Sequence, residues 1–239
     1  MKRFYKMVSV EPRRKDDVDG FEIHLDGRPI KTQMKQILCA PTRPLADAIM
    51  GEWAAQGEQI IPDTMPLTQI LNTKIDRVSA ERDAMSAHIF KYLDTDLLCY
   101  RTDNPSAVGE RQAAKWDPHL AWFEGRYGAA LKITNGLAAL SQDPAAHDAA
   151  RTEVDALGAD HFTVLQLVCG LSGSLVLALA FMRGAVSADD IFAAARVEET
   201  YKDEIFDVQK HGPDPAQDKK DKAMLYDLKA AQAYLTLLD

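Results

Sequence analysis

Residues that could do chemistry are few in this sequence, and they are scattered along it. Asp94-Thr95-Asp96 has the spacing of an Asp-x-Asp metal site, but a connection between two elements uses the same residue types for local backbone hydrogen bonds, and we favour that interpretation. The six histidines show no ligand spacing with one another or with a cysteine. The glycine- and serine-rich run at 170–174 lacks the lysine of a phosphate-binding loop. The sequence therefore predicts no metal site, no cofactor and no catalytic residue.

One acidic segment conflicts with local helix physics. Residues 198–207 hold five acidic residues and one lysine. Glu199, Asp203 and Asp207 repeat at every fourth position, and like charges at that spacing destabilise a helix by roughly 0.2–0.5 kcal/mol per pair. The apolar side chains share another face of the same helix: Val197, Tyr201, Ile205 and Val208. Such a segment is either a solvated acidic face or a binding surface.

Charge and cysteine content exclude several classes of protein. The chain has 239 residues, with 28 Lys and Arg against 36 Asp and Glu, and its formal net charge is −8. This excess disfavours nonspecific binding to nucleic acid or to an anionic membrane. Cys39, Cys99 and Cys169 form no Cys-x-x-Cys pair, which is typical of a reducing compartment. Because residues 1–8 also lack the apolar run of a signal peptide and the pattern of a transit peptide, we expect a cytoplasmic protein.

Two helices that pack as a hairpin with an apolar core face are predicted within 41–78, and none of their residues indicates chemistry. Thr42 is placed to cap the first helix and Gly57 to end it, whereas Pro66 suits the start of the second. Trp53 is the largest apolar side chain available to pack between the two helices. We therefore expect Trp53 to be a buried structural anchor.

The remaining pattern predicts an α+β protein, with a small N-terminal β-sheet unit followed by a larger mainly helical domain. We place the β unit at 1–40, with a tight turn at Asp26-Gly27, and the helical domain at 41–239, with two short strands near 96–101 and 131–134. Ser106–Tyr127 is predicted to be a helix. Phe162–Met182 is apolar enough to raise the question of a membrane span, but its polar interruptions favour a buried helix.

Several short motifs, in this order and spacing, carry a family resemblance that extends from about residue 3 to about residue 201. They are Leu25-Asp26-Gly27-Arg28-Pro29, Glu52-Trp53-Ala54-Ala55-Gln56-Gly57 and Pro62-Asp63-Thr64-Met65-Pro66-Leu67-Thr68. The chain resembles the assembly chaperones that bind the free α subunit of F-type ATP synthase. The resemblance implies an ATP-independent chaperone, with no enzymatic activity, that holds the α subunit until the β subunit replaces it.

The resemblance also implies roles for individual residues. It marks Trp53, Gly57, Pro66 and Asp96 as structural signature positions. The family carries a glutamate-rich functional helix that ends in Trp-Gly, and this sequence matches it at Glu198, Glu199, Tyr201 and Glu204. Phe206-Asp207 stands in place of the Trp-Gly pair.

Two alternatives remain open at this stage. One is a small-molecule enzyme with a site between the β unit and the helices, using Asp94 with Asp96 or Glu204 with His211. The other is a membrane-attached assembly factor, which depends on Phe162–Met182.

Overall fold

A computed structural model describes residues 1–15, 18–136, 138–206, 212 and 214–239, and it has the α+β fold that the sequence predicts. The strands are β1 (Val8–Lys15), β2 (Val18–Leu25), β3 (Arg28–Pro29) and β4 (Cys39–Ala40). The helices are α1 (Arg43–Ala54), α2 (Pro66–Thr73), α3 (Ser79–Asp94), α4 (Ser106–Tyr127), α5 (Pro144–Asp155), α6 (Ala159–Ser172), α7 (Leu175–Met182), α8 (Ala188–Ala195), α9 (Val197–Ile205) and α10 (Pro215–Thr236).

The small sheet is antiparallel and is built around β2. β1 pairs with the whole of β2, whereas β3 and β4 pair with short parts of it. Asp26 and Gly27 have φ values of 48° and 78°, which are the left-handed values that a tight two-residue hairpin turn requires. The predicted Asp26-Gly27 turn is therefore confirmed.

The chain folds as two compact units. The first contains Met1–Arg82, Ala159–Val164 and Ala230–Asp239, so the boundary predicted after residue 40 falls inside it. Thr42 caps α1 as predicted, accepting from Leu45 N at 3.3 Å, and its hydroxyl donates to the Leu237 carbonyl. Tyr234, which is fully buried, donates to Asp160 at 2.7 Å. These bonds tie the last residues of the chain into the first unit.

The second unit contains Asp83–Gly158 and Leu165–Lys229, and α7 lies in its core. Every residue from Leu175 to Phe181 is buried. Trp116 of α4 is only 1% exposed, and its indole N–H donates to the Ala194 carbonyl at 2.8 Å. A buried indole needs such an acceptor, so this bond completes the packing of the largest core side chain.

The single helix expected over Phe162–Met182 is two helices, α6 and α7. Gly173 ends α6 with a left-handed φ of 69°, and the Ser174 side chain caps α7 by accepting from Leu177 N at 3.0 Å. The prediction of one continuous helix is wrong because apolar composition does not show where a left-handed cap interrupts a helix. No described helix has both the length and the hydrophobicity needed to cross a bilayer.

The two short strands expected near 96–101 and 131–134 are not strands. Leu97–Cys99 is a turn of 3₁₀ helix, and Asp96 caps it by accepting from Leu98 N at 3.1 Å. Between the two segments, Tyr100 and Thr134 form one isolated parallel bridge. The expectation is wrong because the apolar run 97–100 follows a capping aspartate, which favours a helical turn over an extended chain.

Candidate partner-binding site

The acidic helix α9 is positioned by side chains from its flanks and from α4. Its first residue, Val197, is buried, and Glu198 and Glu199 occupy the first turn, where negative charge is favourable to the helix dipole. Glu199 pairs with Arg196 at 3.3 Å, and Arg196 also binds Asp221 at 2.8 Å. The start of the helix is therefore fixed.

One stripe of α9 is aligned with α4 through three polar or aromatic contacts. Gln112, fully buried, donates to Glu198 at 2.9 Å and accepts from Thr102 N at 2.9 Å. Further along, the Arg111 guanidinium lies 5.1 Å from the centre of the Tyr201 ring and donates to Glu204 at 2.6 Å. Because helical neighbours three residues apart share a face, these contacts lie along one stripe of α9.

The Arg111–Glu204 pair is exposed to solvent. The hydrogen bond from Arg111 lowers the pKa of Glu204, and the same bond raises the pKa of Arg111. Both groups are therefore charged at neutral pH. Exposed pairs of this kind contribute little to folding stability, so the pair presents charge at the surface more than it holds the helix.

Beyond Glu204, two apolar side chains are exposed at the end of α9. Ile205 is 59% exposed and Phe206 is 70% exposed. Ile205 was predicted to share a face of the helix with Val197, but along this face only Val197 is buried, so Ile205 is left exposed. Large apolar residues beside exposed charge are typical of an interaction surface.

The four residues expected to bind a partner therefore differ in accessibility. Glu198, Glu199 and Tyr201 are half-buried, whereas Glu204 is exposed. Arg111 and Gln112 were missed in the sequence, because helix periodicity does not show which helices meet. Three residues named in the sequence analysis lie outside the described residues. They are Asp207 of the predicted acidic repeat, Val208 of the predicted apolar face and His211 of the enzyme alternative.

Two signature positions have different roles from those expected. Trp53 is only partly buried and packs against Tyr5, with ring centroids 5.8 Å apart, while its backbone carbonyl accepts from the Tyr5 hydroxyl. Helix α1 ends at Ala54, so Gly57 does not cap it and lies in the connection to α2. Pro66 begins α2, as expected.

The polar residues of the same motif connect α1 with the loop and the helix after it. Glu52 accepts hydrogen bonds from Leu67 N at 2.7 Å and Thr68 N at 2.8 Å, which are otherwise unpaired donors of the first turn of α2. Gln56 accepts from Ile61 N at 2.7 Å and donates to Thr64 at 3.0 Å. The motif therefore fixes the geometry of a helix–loop–helix connection.

Asp96 is a structural carboxylate in the second unit. It is fully buried and accepts from Val176 N at 3.1 Å, as well as from the Leu98 N–H already described. Burial raises its pKa to about 6, although these backbone donors oppose the shift. Asp94 binds other partners, Gln142 N at 2.8 Å and His147 at 3.0 Å, so the two carboxylates do not form a joint site. No group of three or more candidate metal ligands occurs among the described residues.

Three solved structures are similar to this chain over its whole length. Atp12 from Paracoccus denitrificans is 35% identical to this chain and superposes with a TM-score of 0.84. The alignment covers 100% of this chain and 98% of that chain. A structure of the D202K mutant of that protein gives the same values. An Agrobacterium tumefaciens protein described as a candidate chaperone is 33% identical, with 100% and 86% covered and a TM-score of 0.88. The family model described as ATP12 chaperone protein matches residues 2–124. The chain therefore belongs to the ATP12 family of ATP synthase assembly chaperones.

Proposed function

We propose that this protein binds the unassembled α subunit of F-type ATP synthase and prevents its aggregation until the β subunit takes its place. The observation that carries the proposal is the surface at the end of α9, where the charged Glu204 adjoins exposed Ile205 and Phe206. A subunit without its neighbour exposes an apolar interface that would otherwise aggregate. Apolar side chains next to fixed charge suit reversible coverage of such an interface.

The mechanism is masking and requires no reaction. The exposed apolar residues cover part of the α-subunit interface, while Glu198, Glu199, Tyr201 and Glu204 supply charge and register to the complex. No cofactor, nucleotide or small-molecule substrate takes part, and the protein is not an enzyme. The free thiols Cys39, Cys99 and Cys169 suit action in the cytoplasm.

Charge variants at Glu204 test this surface. Glu204→Lys places a second positive charge beside Arg111. The double variant Arg111→Glu/Glu204→Lys restores an ion pair, with the negative charge now on α4 and the positive charge on α9. Glu124→Lys applies the same charge change to an exposed residue of α4 for which no ion pair is formed with the described residues. The measurements are suppression of α-subunit aggregation at two salt concentrations and the melting temperature of each variant.

We expect the three variants to melt close to the wild-type temperature, because exposed pairs contribute little to stability. Glu204→Lys and the exchanged pair should both lose capture of the α subunit, and Glu124→Lys should retain it. Full capture by the exchanged pair would show that only the ion pair matters, and full capture by Glu204→Lys would remove this carboxylate from the binding surface. A wild-type protein that leaves α-subunit aggregation unchanged would overturn the proposed function itself.

A further inference from the structure

A second exposed apolar surface lies in the first unit, on the N-terminal segment Met1–Met7. Met1, Phe4 and Met7 are 75%, 66% and 60% exposed. All three are among the most exposed large apolar residues of the described chain, and all three come from one short segment. Single exposed apolar residues are ordinary on protein surfaces, but Met1 and Phe4 line the same groove, and exposed apolar residues that lie together are characteristic of interaction sites.

The segment that carries these side chains is fixed in place by its other residues. Arg3 N donates to the Glu58 carbonyl at 2.8 Å, and the Arg3 guanidinium donates to the Gln56 carbonyl at 2.5 Å. Tyr5 is 4% exposed, and its hydroxyl donates to the Trp53 carbonyl at 2.7 Å. Phe4, between these two anchored residues, contacts the Tyr5 ring at a centroid distance of 5.5 Å. Its outward position therefore follows from the packing of its neighbours.

Beside this segment lies a groove of 590 Å³, which is within the size range of ligand-binding clefts. Tyr5, Leu25, Ile30 and Trp53 supply apolar walls. The groove therefore has apolar walls next to the exposed Phe4.

The charges that line the groove are unbalanced. Arg28 and Lys31 are exposed cations that form no ion pair with the described residues. Asp26, an acidic residue of the lining, accepts from Met7 N at 2.9 Å and Lys6 N at 3.1 Å, and these N–H groups lower its pKa. In a chain whose formal charge is −8, two unpaired cations beside an apolar groove favour an anionic ligand with apolar parts.

We propose that this groove binds an extended peptide segment of the client polypeptide in which apolar side chains alternate with carboxylates. Alternate side chains of an extended peptide point to opposite sides, so apolar groups can enter the groove while carboxylates reach Arg28 and Lys31. A methionine side chain such as that of Met1, which lines the groove, adapts to apolar groups of different shape, which suits a chaperone surface. The identity of the client rests on the proposed function, whereas the peptide chemistry rests on the groove alone.

Peptide binding tests the groove without the α subunit. The probe is a fluorescein-labelled peptide, Gly-Leu-Glu-Phe-Glu-Gly, with one control peptide that has lysine for glutamate and another that has serine for leucine and phenylalanine. We expect fluorescence polarisation to show binding of the first peptide only. Arg28→Glu and Lys31→Glu should each weaken that binding by about tenfold, whereas Lys91→Glu, an exposed cation of α3 that does not line the groove, should leave it unchanged.

The same variants are then measured for α-subunit capture and for melting temperature. Weaker capture by Arg28→Glu and Lys31→Glu at an unchanged melting temperature supports the groove as a client site. Equal binding of all three peptides, no binding of the first peptide, or no effect of either variant on that binding would overturn the proposal. Dimerisation that Phe4→Ser abolishes would assign the surface to a second copy of the chain and would also overturn it. If peptide binding follows the prediction but the wild-type protein captures no α subunit, the proposed function fails and the groove stands.

Discussion

The Glu52 carboxylate, near the end of α1, accepts hydrogen bonds from both the backbone N–H and the hydroxyl of Thr68, at 2.8 and 2.6 Å. A glutamate of one helix thus caps the start of the next. Burial raises the pKa of Glu52, and the bonds from Thr68 and Leu67 oppose that shift. The role of the glutamate in the Glu-Trp-x-x-Gln-Gly motif is therefore to accept hydrogen bonds from the first N–H groups of α2.

Removing this cap should destabilise the protein. Glu52→Ala leaves the N–H groups of Leu67 and Thr68 without their acceptor, and we expect a loss of about 1–3 kcal/mol in the free energy of unfolding. Glu58→Ala, at an exposed position, should stay within about 0.5 kcal/mol of wild type. Urea unfolding measures both variants, and hydrogen exchange at Leu67 and Thr68 locates the effect. Equal stability of the two variants would contradict the capping role.

The two tryptophans should respond differently to truncation. Trp116 is buried and hydrogen-bonded, so we expect Trp116→Ala to cost roughly 3–5 kcal/mol. Trp53 is only partly buried, and Trp53→Ala should cost clearly less. Thermal unfolding of each variant decides this, and a larger loss at Trp53 would restore it as the main structural anchor.

Stability should carry a pH-dependent contribution from Asp96. Its folded pKa of about 6 lies above its ordinary value of 3.8, so between these values the folded state holds the proton more tightly than the unfolded state. The contribution of this group is fully present below pH 3.8 and is lost as the pH rises through 6. The shift corresponds to about 3 kcal/mol.

Asp96→Asn removes this ionisation. The free energy of unfolding of wild type minus that of Asp96→Asn should therefore fall as the pH rises from about 4 to about 6. Urea unfolding at several pH values measures the difference. A difference that stays constant or rises across this window would show that the carboxylate does not titrate as its burial implies.

Two glycines of α6 and its cap should give opposite results when changed to alanine. Gly173 has a φ of 69°, where a side chain is strained by about 1–2 kcal/mol, so Gly173→Ala should destabilise the protein. Gly170 lies within α6, and an added Cβ would meet no atom within 4 Å. Gly170→Ala should therefore stabilise it by about 0.4–1 kcal/mol. Urea unfolding compares them, and a neutral Gly173→Ala would contradict the left-handed cap.

Local signals made part of the fold predictable. The Asp26-Gly27 turn and the Thr42 cap depend on residues adjacent in sequence, and each is read from residue type alone. The bounds predicted for Ser106–Tyr127 agree with α4 for the same reason. In contrast, the break between α6 and α7 depends on the left-handed φ of Gly173. Gly173 lies within a mainly apolar segment, so the composition of the segment does not indicate a break.

The candidate site was predictable only in part, because its geometry depends on residues distant in sequence. The acidic character of residues 198–204 is visible in the sequence, and the resemblance drew attention to it. The contacts of Arg111 with Glu204 and Gln112 with Glu198 join positions 93 and 86 residues apart, and no local pattern predicts them. The exposure of Phe206 could not be predicted either, because it depends on how far along α9 the neighbouring helices pack.

The bonds that join Thr42 to Leu237 and Asp160 to Tyr234 have a consequence for biosynthesis. The ribosome makes residues 1–82 first, but residues 230–239 of the same unit only after every other residue of that unit. Until residues 230–239 have been synthesised, the first unit is therefore incomplete. Thr42 and Asp160 lack their hydrogen-bond partners, Leu237 and Tyr234, during that time. This chaperone can complete its first unit only when α10 has emerged from the ribosome.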